Sequence, residues 1–420
     1  MDGVGDRARR AARRRARAAA DRAAAADGRG GLRLPKLIVS AGDPSGDRLG
    51  AALLAALRAR GAVVDAVGLG GPALRAAGLD AVVPMESVAV MGFAEVIRHL
   101  PAIRRARRAL EALLRGNPGA VFLPIDSPGL NLALARVAHR TGRRVVYYVL
   151  PQVWAWGHGR VRRIREDVDL VLLLFRFEEE VARRAGIPAR WVGHPAGELL
   201  PDAAARDAAR TALGLAPGES LIAILPGSRR GEVRRHLAPM LDAAARLAAG
   251  APGPTRVAVS DAGPVASEAS RGEAATLWRT LAPLDHRGDA RALLRAADLA
   301  LVASGTATLE TAALEVPMVI VYRTGRLNFE IARRLVRVRR IGLANIVADA
   351  DAAPECVQED AVGARIAAAA APLLTDPVRR AAQRAAFARL PRILGGAGSA
   401  ERAADALLAF LAERPAERAG

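Results

Sequence analysis

A chain of 420 residues with 51% hydrophobic content can bury a large core, fits two domains, and is not a disordered chain. The net charge of +19 is almost wholly arginine, since Lys36 is the only lysine. Abundant Ala, Gly and Arg point to a GC-rich coding sequence, so part of this basicity is codon bias; the rest favours anionic partners such as phospholipid surfaces, phosphorylated substrates or nucleic acid. The lone Cys356 excludes an intramolecular disulfide and a Cys-cluster metal site. No apolar run reaches the roughly 18–20 residues that span a bilayer.

Residues 1–33 carry ten arginines and four aspartates and lack the apolar middle of a secretory signal. They read as a disordered or helical leader, or as the result of a start codon placed too early, with an electrostatic membrane tether as the sharper alternative. The fold is expected from Leu34. Leu37–Gly42 reads as a short strand, Asp43-Pro44-Ser45-Gly46-Asp47 as a turn, Arg48–Arg60 as a helix and Val63–Val67 as the next strand. The segment Val88–Ile103 is apolar and ends in Arg104-Arg105-Ala106-Arg107-Arg108. It is either a helix with a core stripe and a solvated basic face, or an apolar lip with an arginine rim that grips acyl chains and lipid phosphate.

The strand Val121–Ile125 ends at Asp126, and further strands follow near 145–149, 170–174 and 190–192, with helices between. Strands alternating with helices give a parallel, doubly wound α/β sheet. A carboxylate at the end of a buried strand lies where such sheets place their chemistry. Asp126 is a candidate base for a hydroxyl proton, or else the cap of an Asp-Ser-Pro-Gly turn. Trp154 and Trp156 sit two apart in a chain only 3% aromatic, as a ligand wall or a packing anchor.

A domain boundary is expected near 195–205, and a second alternating series begins at Leu221. Its strands are expected at 221–225, 256–259, 299–302 and 318–321, with terminal helices over 379–411 broken at Gly395–Gly398. Two Rossmann-like halves leave a cleft between the C-terminal ends of their strands. Gly227-Ser228-Arg229 follows a strand and opens a helix, where an anion is favoured and Arg229 can fork onto phosphate. Ser304-Gly305-Thr306 does the same after 299–302, and Glu310, one turn into the helix, can accept from ribose hydroxyls. Both also read as ordinary turns and caps. Neither matches the dinucleotide or Walker fingerprint, so a nucleotide diphosphate joined to a sugar fits best. His139, His158, His194 and His236 have no metal-ligand spacing, and His194 is read as acting only through its neighbours. Asp349-Ala350-Asp351 is read as solvated, so no metal is expected.

The ordered set Ser40–Gly50, Gly70-Gly71-Pro72, Val90-Met91-Gly92, Ile125-Asp126-Ser127-Pro128, Val153-Trp154-Ala155-Trp156, Leu225–Arg229, Ser304–Glu310 and Pro317-Met318-Val319 resembles the lipid-A-disaccharide synthase family, from about Leu34 to about Leu374. The resemblance implies a two-domain GT-B glycosyltransferase, inverting, that moves 2,3-diacylglucosamine from its UDP derivative to 2,3-diacylglucosamine 1-phosphate. It implies that residues 34–200 form an acceptor and membrane-facing domain and 201–378 a UDP-sugar domain, followed by helices over 379–420. It assigns Asp126 as the essential acid, and Arg229 and Asn345 to the UDP site; Gly227, Ser228, Ser304, Gly305, Thr306 and Glu310 join them there from the reading of the two turns. Ser45, Gly46, Asp47, Trp154 and Trp156 fall on the acceptor side of the cleft. Met91, Phe93, Val96, Ile97, Leu100 and Ile103 match a membrane-facing patch.

By the same resemblance the protein needs no cofactor, since the UDP-sugar is a substrate. It uses acylated glucosamine lipids, binds no nucleic acid and forms a homodimer with exchanged C-terminal parts. Its place is cytoplasmic, peripheral on the inner face of the inner membrane. Two departures stand out: Gly42-Asp43-Pro44 where the family usually has Gly-Glu, and Ala344 where a proline commonly precedes the asparagine. The competing readings are another UDP-sugar enzyme on the same architecture, transferase or epimerase, and a non-enzymatic basic protein that binds membranes or nucleic acid.

Overall fold

Seven short apolar strands form one wholly parallel sheet in the order Asp80–Pro84, Ala66–Gly70, Leu37–Ala41, Val121–Ile125, Arg144–Tyr148, Leu170–Leu173, Ala189–Trp191. The computed structural model describes residues 32–88, 93–151, 153, 159–261, 263, 265–325, 329 and 340–413, without the side chains of 93–99. A second parallel sheet of six strands runs Leu284–His286, Thr255–Ser260, Ser220–Leu225, Leu299–Ala303, Met318–Tyr322, Glu355–Val357. The central strands are buried along their whole length, in keeping with their nearly continuous apolar sequences.

Chain order reverses once in each sheet. In the first it reverses between Leu37–Ala41 and Val121–Ile125, and in the second between Ser220–Leu225 and Leu299–Ala303. The loops leaving paired strands diverge at such a point and open a crevice at their C-terminal ends. Asp43 and Asp126 follow the first pair of strands; Gly227–Arg229 and Ser304–Thr306 follow the second.

Several boundaries differ from expectation. The helix after the first strand begins at Pro44, not Arg48, because Asp43 accepts from the Ser45 and Gly46 N–H groups and proline suits the first helical position. That helix, Pro44–Ala59, buries Leu53, Leu54 and Leu57, each worth about 2 kcal/mol of apolar burial. The expected strand Val63–Val67 is two strands. Ala62–Val63 pairs with Leu32–Arg33, so residues before Leu34 already take part in a described strand, and Ala66–Gly70 pairs with Leu37–Ala41. Gly68 belongs to that strand. A Cβ there would lie 2.0 Å from the Val39 carbonyl oxygen.

The chain crosses between the halves twice. It leaves the first half through Pro195–Glu198 and enters the second at the helix Ala203–Ala212, where Asp202 caps the Ala205 N–H. It returns through Leu390–Ile393, and the last helix, Ser399–Ala412, packs on Pro44–Ala59. The crossings touch where His194 N–H donates to the Leu394 carbonyl at 2.9 Å and Gly193 lies against Gly395. Glu198 accepts from Ser399 N–H and Oγ at 3.1 and 2.7 Å, and the Arg144 guanidinium lies 3.7 Å from the centre of the Phe410 ring. The terminal helix is thus tied to the first half by cap, charge and cation–π contact.

Candidate functional site

Asp126 occupies the crevice of the first sheet in a conformation that L-residues avoid. Its φ is 46°, and Ser127 follows at 47°. Two consecutive left-handed non-glycine residues store strain that the surroundings must offset. Asp126 N–H donates to the Tyr148 carbonyl at 2.9 Å, while the Asp126 carbonyl accepts from Tyr147 Oη at 2.7 Å and Asn131 Nδ2 at 2.8 Å. Asn131 is fully buried; Ser40 Oγ donates to its Oδ1 at 2.6 Å. Burial keeps the Tyr147 hydroxyl protonated and able to donate. The backbone is clamped and the carboxylate is left for chemistry.

That carboxylate is pushed up to about 6, first by burial and then by the Asp43 charge, against the opposing pull of the Ser127 N–H and Arg229. Arg229 belongs to the second half, so the two crevices face each other closely enough for charge to act across the cleft.

In the second half Glu232 organises the Gly227–Arg229 turn. Its Oε2 accepts from the Ser228 and Arg229 N–H groups at 3.2 and 3.4 Å, and its Oε1 from Arg229 Nη1 at 3.3 Å. A Cβ on Gly227 would lie 2.7 Å from Glu232, so this glycine serves that approach. The Ser228 and Arg229 amides of the turn are thus turned to Glu232, which also holds one end of the Arg229 guanidinium. His236, buried beneath, bridges the halves of this crevice: Nδ1 donates to the Pro226 carbonyl at 3.0 Å and Nε2 accepts from Arg323 N–H at 2.9 Å. Burial lowers its proton affinity and keeps the ring neutral.

The opposite turn is open. Gly305 has φ 154° and ψ −163°, a conformation reserved for glycine, and no described atom lies within 4 Å of a Cβ placed there. It begins the helix Thr306–Ala313, whose free N–H groups favour an anion. Ser304 Oγ donates to the Ile341 carbonyl at 2.9 Å. Glu310 is 8% exposed, and its Oε1 accepts from Arg291 Nε at 3.1 Å and Nη2 at 2.9 Å.

Two expected contact residues have other duties. Asp47 is 3% exposed; its Oδ1 accepts from Gly71 and Leu74 N–H at 2.7 and 3.1 Å, and its Oδ2 from Ala73 N–H at 2.9 Å. Both oxygens cap the helix Pro72–Ala76. Asn345 is 1% exposed; it donates to the Ala353 carbonyl at 2.8 Å and to Glu355 at 2.9 Å, and accepts from Ala353 N–H at 2.8 Å. Its amide holds a loop, with both N–H donors engaged there. Ser45 and Gly46 lie in the first turn of the helix Pro44–Ala59, with Gly46 packed on Ile125.

The helix Phe93–Gly116 carries the basic run. Leu100 and Ile103 are half-buried, Arg104, Arg105, Arg107 and Arg108 exposed, and Leu110 and Leu114 buried. Met91, Trp154 and Trp156 lie outside the described residues, as do the side chains of Phe93, Val96 and Ile97. Among the described residues no helix is long and apolar enough to cross a membrane.

Residues 37–409 match the Lipid-A-disaccharide synthetase family. The chain belongs to that family. It is 41% identical to the lipid-A-disaccharide synthase of Alkalilimnicola ehrlichii, over 89% of this chain and 98% of that one. It is 36% identical to that of Geobacter metallireducens, over 90% and 98%. The UDP-GlcNAc 2-epimerase of Neisseria meningitidis bound to UDP-GlcNAc shares the fold, with a TM-score of 0.62 over 90% of this chain and all of that one, at 12% identity. The architecture is of the GT-B type. As a lipid-A-disaccharide synthetase family member the chain is a glycosyltransferase of lipid A biosynthesis, with acylated glucosamine lipids as substrates. It moves 2,3-diacylglucosamine from the UDP derivative to 2,3-diacylglucosamine 1-phosphate. The epimerase alternative rests on fold alone, and a purely binding role is set aside by the family.

Proposed function

We propose that Asp126 is the base of this transfer and that the second half holds the UDP. The acceptor hydroxyl oxygen attacks C1 of the donor sugar from the face opposite the diphosphate. The new C1–O bond forms as the bond from C1 to the diphosphate oxygen breaks, and UDP leaves with that electron pair. Asp126 takes the hydroxyl proton. A carboxylate raised to about 6 is ionised at neutral pH yet more basic than an exposed one. Arg229 and the helix start at Gly305 stabilise the charge growing on the departing diphosphate, and Glu310 takes the ribose hydroxyls. These cationic and dipolar groups supply the electrophilic help without a cofactor or metal.

One observation supports this reading: chain order reverses beside Asp126 in the first sheet and beside Gly227–Arg229 and Ser304–Thr306 in the second. Asp126→Asn keeps UDP affinity and lowers turnover by about 100- to 10,000-fold; a variant with near-normal turnover removes Asp126 from the mechanism.

The protein acts in the cytoplasm on the inner face of the inner membrane. Leu100, Ile103 and the arginines 104, 105, 107 and 108 are the contact on this reading. The terminal helix Ser399–Ala412, held by side chains at its start and end, is the segment that two copies would exchange in a homodimer.

A further inference from the structure

Glu310 is a buried acid held by one oxygen alone. It is 8% exposed, and its Oε1 accepts both Arg291 Nε–H at 3.1 Å and Arg291 Nη2–H at 2.9 Å. A guanidinium fork usually meets a carboxylate two on two, with one N–H for each oxygen. Here both N–H groups go to Oε1. Among the described residues no group hydrogen-bonds Oε2, and that oxygen is not sealed from solvent.

Arg291 is itself fixed. It stands in the first turn of the helix Ala290–Ala296, where Asp289 Oδ1 accepts the Arg291 N–H at 3.0 Å as the cap. Leu293 and Leu294 of the same helix are fully buried, which anchors it to the second half. The half-buried Arg291 side chain crosses from there to the helix Thr306–Ala313, which begins at the open Gly305 turn. Glu310 lies four residues after Thr306, about 6 Å along the axis from the helix start. A nucleoside diphosphate spans a comparable length from its phosphates to its ribose hydroxyls.

A carboxylate this buried needs a cation beside it to stay charged. The guanidinium supplies that charge, and its rigid plane restricts how the carboxyl group can turn. We propose that Arg291 is the positioning residue for ribose recognition. By taking Oε1 alone, it keeps Glu310 ionised and leaves Oε2 as the acceptor for the nucleotide. A carboxylate oxygen has two lone-pair sites, so Oε2 can accept from both the 2′- and the 3′-hydroxyl. Arg291 touches no substrate in this arrangement and acts through Glu310. The inference rests on the reading that Glu310 takes the ribose hydroxyls, and it names the residue that makes Glu310 selective for them.

Binding of UDP and of 2′,3′-dideoxy-UDP to the full chain is measured calorimetrically for the unmodified protein, Glu310→Gln, Arg291→Met and Arg291→Lys, with thermal midpoints alongside. The unmodified protein is expected to prefer UDP by about 10- to 100-fold, from hydrogen bonds to a charged acceptor. Arg291→Met is expected to bring that preference to within about threefold while the dideoxy nucleotide binds within about threefold of its original affinity. Arg291→Lys keeps the charge but not the fork, so its preference is expected to fall between the two. If Arg291→Met does not fold, the lysine variant decides by the same ratio.

A full preference for UDP in the Arg291 variants overturns the inference. So does an equal weakening of both nucleotides, which is the mark of a purely structural role. Loss of the preference in Glu310→Gln but not in the Arg291 variants leaves Glu310 as the ribose acceptor and removes Arg291. No preference in the unmodified protein overturns the ribose reading of Glu310 first, and this inference with it.

Discussion

Asp43 stands beside Asp126 at the ends of two adjacent strands, and its charge is among the forces that lift the Asp126 carboxyl to about 6. Asp43 is itself held by the Ser45 and Gly46 N–H groups at 2.9 and 3.0 Å and by Ser127 Oγ at 3.3 Å. The residue that follows the base thus anchors the charge that tunes it.

This raised carboxyl makes stability depend on pH with a definite sign. The fold favours the protonated form of Asp126, so its contribution is fully present below the unfolded value of 3.8 and is lost as pH rises through about 6. Above that window ionisation costs the native state on the order of 3 kcal/mol. Asp126→Asn therefore raises the unfolding midpoint relative to the unmodified protein at pH 8 but not at pH 4. Thermal unfolding at the two pH values checks it, and equal midpoints at pH 8 count against the assignment.

Asp47 supports the fold, not the substrate. Asp47→Ala removes three hydrogen bonds from the start of Pro72–Ala76 and lowers stability by on the order of 2 kcal/mol. Denaturant unfolding measures the loss. Turnover per folded molecule is expected to stay within about twofold, since stability and chemistry are separate here.

Gly305 is required for its backbone conformation, not for space. Gly305→Ala forces a side chain into φ 154°, at a cost of about 1–3 kcal/mol, or turns the helix start away from the cleft. UDP affinity is expected to fall by about tenfold or more in calorimetry. Affinity equal to that of the unmodified protein would place the diphosphate elsewhere.

The exposed arginines of Phe93–Gly116 predict charge-dependent membrane contact. Replacing Arg104, Arg105, Arg107 and Arg108 with glutamate is expected to weaken binding to anionic phospholipid vesicles by at least about 100-fold, from about 1 kcal/mol per basic residue. Vesicle sedimentation reads the change, and zwitterionic vesicles should show little difference. Undiminished binding to anionic vesicles would exclude this face.

The site was legible in sequence where a buried strand runs straight into a helix, because that junction is local. Asp126, Gly227–Arg229 and Ser304–Thr306 are all of this kind. The edge strands Asp80–Pro84, Leu284–His286 and Glu355–Val357 were not expected: each is short and carries an acidic residue. The structural duties of Asp47 and Asn345 were not legible, because their partners, Gly71–Leu74 and Ala353–Glu355, meet them only through folding. The duty of Glu232 had a local signal, a carboxylate three residues after Arg229, which is the spacing of a capping box. His194 gave no such sign, since its stacking partner Phe175 lies in a separate segment.

The central claim is the transfer of an acylated glucosamine between two lipid substrates, with Asp126 as base. UDP release is measured with UDP-2,3-diacylglucosamine alone, with 2,3-diacylglucosamine 1-phosphate alone, and with both. The account predicts release only with both together, lost in Asp126→Asn. Comparable release from unacylated UDP-GlcNAc, or without the acceptor, would contradict it.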